Sequence, residues 1–97
     1  MHIRVTPGTM QPGKMGEATA VIEELFAQYR QAGGFRGGYL GGDDQTGEGI
    51  VVTLWDSEEA ARVAVAQNSA TMAKLGPLSA TGQAPVPPRA FEVLLQR

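Results

Sequence analysis

The chain contains no cysteine and only one histidine. Without cysteine there is no disulfide framework and no thiolate chemistry, so the cytoplasm is the expected compartment. A single histidine excludes a histidine-rich metal site, and Asp43 and Asp44 lack the spacing of a calcium-binding loop, so no metal is expected. No apolar run of about 18 residues is present, and the N-terminus lacks the long apolar segment of a secretory signal. We therefore expect neither a membrane span nor secretion.

The charge is almost balanced and slightly acidic. Eight Lys and Arg residues face ten Asp and Glu residues, which gives a net charge of −2. The basic residues are scattered along the chain, whereas binding through phosphate neutralisation needs them clustered. We therefore expect no nucleic acid as a partner. At 97 residues, the sequence is assigned to one domain that spans residues 1–97.

An apolar run at residues 50–55 ends in the only tryptophan, Trp55. Its short length, β-branched content and flanking glycines predict a strand. Both alternating faces of this strand are largely apolar, so we expect it to be covered on both sides. The next residue, Asp56, is the predicted N-cap of a helix that reaches about Gln67, with Glu59 at the third helical position.

The other segments predict the elements that surround this strand. They are a strand at residues 2–6, a loop from Pro7, a helix at 14–32, a strand at 35–42, a short helical turn reaching Leu75 and a last strand at 89–96. The first helix carries an apolar stripe: Met15, Ala18, Ile22, Leu25 and Tyr29. Glycine-rich sequence in the second strand predicts a bulge, or else close approach by another backbone or a ligand. The order predicts an α+β fold, ferredoxin-like βαββαβ, with a four-stranded antiparallel sheet whose central strands are the first and third.

This topology places two helices on one face of the sheet and leaves the other face bare. Two kinds of partner fit a bare apolar face: RNA, or a second copy of the chain. RNA-recognition domains place stacking aromatic residues on the third strand. The corresponding positions here are Ile50 and Val52, which are not aromatic. The sequence therefore favours a homodimer through the sheet faces.

The segment LWDSEEA at residues 54–60 resembles the corresponding segment of the antibiotic biosynthesis monooxygenase (ABM) family. The resemblance implies a dimeric α+β barrel, in which two ferredoxin-like subunits pack sheet against sheet. It also implies a cofactor-independent monooxygenase that acts on a small aromatic or polyketide-like molecule, with dioxygen as co-substrate and no metal or other cofactor.

The resemblance extends to few of the family's functional residues. Its oxygenase branch pairs the tryptophan matched by Trp55 with an asparagine four residues earlier and an aromatic residue on the next helix. Here Val51 and Ala61 occupy those positions. Its heme-degrading branch uses an asparagine on the first strand, near Thr6 here, with Trp and His on the second helix, which has neither. The alternative hypothesis is a non-enzymatic homodimer that binds a small molecule.

Five residues are candidates for binding a small organic ligand between the helices and the sheet. Trp55 and Tyr39 would form an aromatic wall. His2, Arg4 and Thr6 share one strand face and would supply polar contacts, and His2 would titrate near neutrality. Four of them also have a simpler interpretation: Trp55 as core or interface, Tyr39 as packing, Arg4 as an ion-pair partner across a dimer and His2 as a frayed end. No residue is assigned a catalytic role.

Overall fold

The structure, a computed structural model, describes residues 1–81 and 88–97. Its elements are β1 (His2–Thr9), α1 (Met15–Ala32), β2 (Phe35–Gly42), β3 (Glu48–Trp55), α2 (Glu58–Gln67), α3 (Ser69–Met72), a 3₁₀ helix (Ala73–Leu78) and β4 (Arg89–Glu92). The strands form one antiparallel sheet in the order β2-β3-β1-β4. The predicted ferredoxin-like topology, with the first and third strands in the centre, is confirmed.

β1 is longer than predicted, because the chain continues as a strand through Pro7 to Thr9. Proline lacks the N–H that a central strand normally donates. Among the described residues β4 lies opposite β1 only as far as Val5, so within that part of the chain Pro7 has a strand neighbour on one side. Proline is tolerated at such an edge. The prediction of a loop that starts at Pro7 is therefore wrong.

The helices pack on one face of the sheet and form most of the buried core with it. On α1, four residues of the predicted apolar stripe are buried: Ala18, Ile22, Leu25 and Tyr29. On α2 the buried residues are Ala61 and Ala64, both fully inaccessible to solvent. Their small side chains allow this helix to lie close to its neighbours. The predicted stripe of α1 is confirmed as core.

The N-cap of α2 is Ser57, not Asp56 as predicted. The Ser57 backbone is extended, and its hydroxyl accepts a hydrogen bond from the Ala60 N–H at 3.1 Å. Asp56 still belongs to the sheet edge, since its N–H donates to the carbonyl of Gly34 at 2.8 Å. Its carboxylate forms an ion pair with Arg36 instead of capping the helix.

The helical region after α2 and the last strand also differ from prediction. A 3₁₀ helix carries the helical region to Leu78, beyond the expected end at Leu75. β4 covers four residues instead of the expected 89–96, because β1 begins at His2, opposite Glu92. One more backbone contact follows, in which the Val93 N–H donates to the Met1 carbonyl at 2.9 Å.

The two faces of the sheet have different surroundings. The face of β3 that carries Thr53 and Trp55 lies under the helices, and both side chains are buried. On the opposite face, the described residues leave Ile50 41% exposed and Tyr39, on the neighbouring strand, 69% exposed. The chain itself therefore covers one face of β3, and cover on the second face by a homodimer stays a prediction.

Candidate functional site

A cavity of about 200 Å³ lies between the helices and the sheet. Most of its wall is apolar and comes from α1, α2, the two central strands, β2 and the 3₁₀ helix, including Ile22, Leu25, Leu40, Val51, Val65 and Leu75. Among the described residues that line it, four carry polar side chains: Arg4, Thr6, Tyr29 and Thr53. An apolar cavity with a few convergent polar groups is the usual form of a small-molecule site. It lies between the layers where the sequence led us to expect one.

Alternation along β1 brings two of the predicted polar residues to this cavity. The pairs on the helix-facing side of β1 and β3 are His2 with Trp55, Arg4 with Thr53, and Thr6 with Val51. The prediction that His2, Arg4 and Thr6 share one face is therefore confirmed. Arg4 and Thr6 line the cavity, whereas His2 lies outside its lining, at the end of the strand.

Arg4 is the one charged residue among the described residues that line the cavity. Its Nε atom is buried and has no hydrogen-bond partner within residues 1–81 and 88–97. The ion pairs of the same part of the chain involve other cations, namely Lys14, Arg36, Arg62 and Lys74. Arg4 as a whole is only half-buried, and the partial removal of an unpaired charge from water costs free energy. The cavity therefore contains a cation without a counter-ion in the described chain.

Trp55 lies directly behind the cavity wall. It is fully buried, and its indole Nε1 donates to the Thr53 hydroxyl at 2.9 Å. Its ring centroid lies 5.1 Å from that of Tyr29, in an edge-to-face arrangement, and 5.1 Å from that of Phe35. Thr53 and Tyr29 line the cavity, and Trp55 does not. A change at the cavity wall would thus reach Trp55 through direct contacts.

Tyr29 joins the cavity to the aromatic cluster. It is 3% exposed. Burial raises the pKa of its phenol, and the nearby positive charge of Arg4 opposes that rise. The phenol is therefore neutral at physiological pH and has a proton to donate. Sequence reasoning assigned Tyr29 to the core stripe, although a tyrosine in such a stripe carries a hydroxyl that needs a polar contact.

Tyr39 lies on the other face of the sheet, away from the cavity. Phe35 pairs with Trp55, but the register then shifts by one residue, so that Gly37 pairs with Leu54 and Tyr39 with Val52. The predicted bulge is thus present, and it reverses which residues of β2 face the helices. The prediction that Trp55 and Tyr39 form one aromatic wall is therefore wrong.

The described part of the chain contains neither a candidate metal-binding cluster nor a candidate membrane-spanning helix. Within residues 1–81 and 88–97, no three acidic or histidine side chains come together as a metal-binding group. None of the helices in those residues has the length and apolar character needed to cross a membrane.

Comparison with known proteins identifies similarity at the level of fold. No protein-family model matches the chain, and no curated protein does. SnoaB from Streptomyces nogalater, a cofactor-independent oxygenase, superposes with a TM-score of 0.79 at 19% identity, covering 98% of this chain and 94% of SnoaB. Rv0793 from Mycobacterium tuberculosis gives a TM-score of 0.76 at 16% identity, with 98% and 96% covered.

A proposed antibiotic biosynthesis monooxygenase from Caulobacter crescentus superposes with a TM-score of 0.77 at 23% identity, covering 97% of this chain and 90% of that protein. Further structures named as antibiotic biosynthesis monooxygenases match over nearly the full chain, such as one with 98% of this chain covered. At these identities the likeness shows a shared fold. The resemblance carried by residues 54–60 is confirmed at that level.

Proposed function

We propose that this protein is an ABM-like homodimer that binds a small aromatic molecule in the cavity and oxidises it with dioxygen, without a cofactor. The observation that carries the proposal is the apolar cavity with four polar side chains, directly in front of Trp55. The fold similarity to SnoaB, itself a cofactor-independent oxygenase, supports the assignment. A volume of about 200 Å³ is below the range of roughly 300–1,000 Å³ for drug-sized ligands, so a molecule of one or two rings fits best.

The proposed reaction needs an electron-rich substrate. Without a cofactor, the electrons that reduce dioxygen come from the substrate itself. For a phenol, one oxygen atom enters the ring to give a quinone, and the other leaves as water with two hydrogen atoms taken from the substrate. One phenol and one dioxygen thus yield one quinone and one water, and no external reductant is consumed.

The described residues have distinct proposed roles in this site. Arg4, Thr6, Thr53 and Tyr29 contact the polar groups of the substrate, because they are the polar side chains of the cavity. Trp55 holds the wall in place from behind. His2 and Tyr39, which the sequence also proposed for ligand binding, lie outside the cavity lining.

The open face of the sheet supports the homodimer. Three large apolar residues on it are exposed: Tyr39 by 69%, Phe91 by 46% and Ile50 by 41%. Val52 and Leu54 lie among them and are half-buried. A contiguous exposed apolar surface is uncommon on a monomeric protein and is typical of an interaction site. The three exposed residues lie on β2, β3 and β4 of one sheet, so the apolar surface extends across the sheet, which suits a second sheet.

Light scattering at several concentrations tests the dimer. We expect the wild-type chain to have twice the monomer mass and Val52→Glu to be monomeric, since a charge at the centre of an apolar interface is left unpaired. Val63→Glu is the matched control, because Val63 is 42% exposed on α2, away from the sheet. A monomeric wild-type chain at high concentration would contradict the homodimer.

Oxygen uptake in the presence of small phenols tests the activity. With isotopically labelled dioxygen, we expect one labelled atom in the product and the other in water. Binding of a phenol, followed through Trp55 fluorescence, should precede uptake. Failure of every phenol to bind would count against the cavity as the site.

The alternative function is a homodimer that binds the same class of molecule without reaction. It is favoured by Val51, an apolar residue that lines the cavity, and by Ala61, which is fully buried. Neither offers the polar or aromatic group that the oxygenase branch has at these positions. Ligand-dependent fluorescence without oxygen uptake or product would support this alternative over oxidation.

A further inference from the structure

Every polar side chain that lines the cavity within the described residues is capable of donating hydrogen bonds. Arg4 has only N–H donors, while Tyr29, Thr6 and Thr53 carry hydroxyls. The Thr53 oxygen already accepts the bond from Trp55, which leaves its own proton available. No carboxylate lines the cavity within the described residues. The site is thus rich in donors and carries one positive charge.

The acidic residues found in ion pairs are engaged elsewhere. The pairs seen in residues 1–81 and 88–97 are Glu17 with Lys14, Asp56 with Arg36, Glu59 with Arg62, and Glu24 with Lys74. All of them are substantially exposed, and none involves Arg4. A guanidinium in an apolar cavity is unfavourable unless an anion compensates it. Guanidinium groups bind planar oxyanions well, because their N–H groups form a fixed fork.

We propose that the cavity binds its ligand as an anion, a phenolate, enolate or carboxylate on a small apolar body, with Arg4 as the counter-ion. This inference rests on the proposed function and adds the charge state of the ligand to it. Thr53 and Tyr29 also line the cavity, and their hydroxyls would supply further donors to the ligand. For a phenol or enol, the anion is also the electron-rich form that gives electrons to dioxygen most readily.

A cavity that contains Arg4 and a purely apolar cavity should shift the pKa of a bound phenol in opposite directions. Burial alone disfavours an anion and raises the pKa of a bound phenol, whereas a nearby cation lowers it. The dye 4-nitrophenol distinguishes the two cases, because its anion and its neutral form absorb at different wavelengths. Its size also suits a cavity of about 200 Å³. The ionised fraction of the bound dye can therefore be read directly at each pH.

We expect wild-type protein to lower the pKa of bound 4-nitrophenol, and Arg4→Gln to raise it above that of the free dye. Arg4→Lys should keep part of the decrease, since it retains the charge but not the planar fork. Arg36→Gln is the matched control and should behave like wild type, because Arg36 pairs with Asp56 outside the cavity. Affinity for the anion should fall at least tenfold in Arg4→Gln.

Each result supports or overturns a defined claim. A raised pKa for the dye bound to wild-type protein, or equal shifts in wild type and Arg4→Gln, would overturn the anion inference and leave the cavity function standing. Failure of the dye to bind wild-type protein, measured by calorimetry, would count against both. A lowered pKa that Arg4→Gln abolishes and Arg36→Gln does not would establish the inference.

The stability of the unliganded protein is a second test, because a ligand-binding role and a structural role for Arg4 predict opposite effects of its replacement. If the role of Arg4 is to bind a ligand, its unpaired charge lowers the free energy of unfolding when that ligand is absent. Arg4→Met then raises the urea midpoint of the unliganded protein, since it replaces an unpaired cation by an apolar side chain of similar length. A lower midpoint would identify Arg4 as a structural residue and overturn the inference.

Discussion

Trp55 and Thr53 lie on the same face of β3 and are joined by a hydrogen bond from the indole Nε1 to the hydroxyl Oγ1, 2.9 Å long. Both side chains are buried, at 0% and 6% exposure. A strand places residues two apart on one face, so the bond forms within the strand itself. It provides the acceptor that a buried indole N–H requires. The cavity wall and the core therefore share one polar contact.

Thr53→Val should destabilise the protein by about 1–3 kcal/mol, because it keeps the shape of the side chain but leaves the indole N–H unpaired. Thr53→Ser keeps the hydroxyl and should cost less. Urea unfolding followed by the fluorescence of Trp55, the only tryptophan, measures both. A smaller loss in Thr53→Val than in Thr53→Ser would show that the methyl group, not the hydrogen bond, is what matters at this position.

Ser57→Ala should cost about 1 kcal/mol, the usual loss when a helix N-cap is removed. Asp56→Ala should cost less, because its ion pair with Arg36 is exposed, with 52% and 58% of the two side chains accessible, and such pairs contribute about 0–1 kcal/mol. Chemical unfolding of the two variants gives the comparison. The reverse order would identify Asp56 as the residue that caps α2.

The N-cap of α2 is a feature that local sequence patterns predict only in part. Asp56 and Ser57 are both good N-cap residues, so the sequence predicts the turn between β3 and α2 but not which residue caps it. The choice depends on Gly34, whose carbonyl holds the Asp56 N–H at the sheet edge. That contact joins residues distant in sequence, and no local pattern contains it.

Which face of a strand each residue occupies was likewise predictable from the sequence in one strand and not in another. Alternation in β1 correctly placed Arg4 and Thr6 on one face, because that strand pairs without interruption. In β2 the sequence predicted a bulge but not its place, and one shifted residue moves Tyr39 to the opposite face from Trp55. Tyr29 was predicted as core from helical periodicity. Periodicity shows that a residue is buried and does not show that a cavity lies beside it.

Gly47→Ala should be severely destabilising. Gly47 has φ of +78°, and a Cβ there would lie 1.9 Å from the Met10 carbonyl oxygen. Gly13 has a similar φ of +82° with nothing within 4 Å, so Gly13→Ala should cost only the strain of a left-handed residue, about 1–2 kcal/mol. Gly16→Ala, inside α1 and without neighbours, should stabilise by up to about 1 kcal/mol.

Thermal unfolding of these three variants separates backbone strain from steric overlap. The expected order of stability is Gly16→Ala, wild type, Gly13→Ala and then Gly47→Ala. Equal losses in Gly13→Ala and Gly47→Ala would mean that the contact between residues 47 and 10 relaxes without cost. It would then also mean that the hydrogen bond from the Met10 N–H to the Gly47 carbonyl, 2.7 Å long, does not hold the loop.

Tyr29 should make the protein less stable as the pH rises above 10. Its pKa in the folded chain is raised above the ordinary 10.0 by burial, so between the two values the unfolded chain loses the phenol proton and the folded chain keeps it. Stability is then fully present below pH 10 and falls as the pH rises to the folded pKa, by about 1.4 kcal/mol per pH unit. Urea unfolding at a series of pH values up to 11 measures the slope.

The difference between variants isolates Tyr29 from other groups that titrate in this range. Tyr29→Phe should lose this slope, whereas Tyr39→Phe should keep it, because Tyr39 is 69% exposed. The positive charge of Arg4 lowers the pKa of Tyr29 in the folded chain. Arg4→Gln should therefore raise that pKa further and extend the loss of stability to higher pH. A loss of stability that levels off at the same pH in Arg4→Gln and in wild type would show that the guanidinium does not act on the phenol across the cavity.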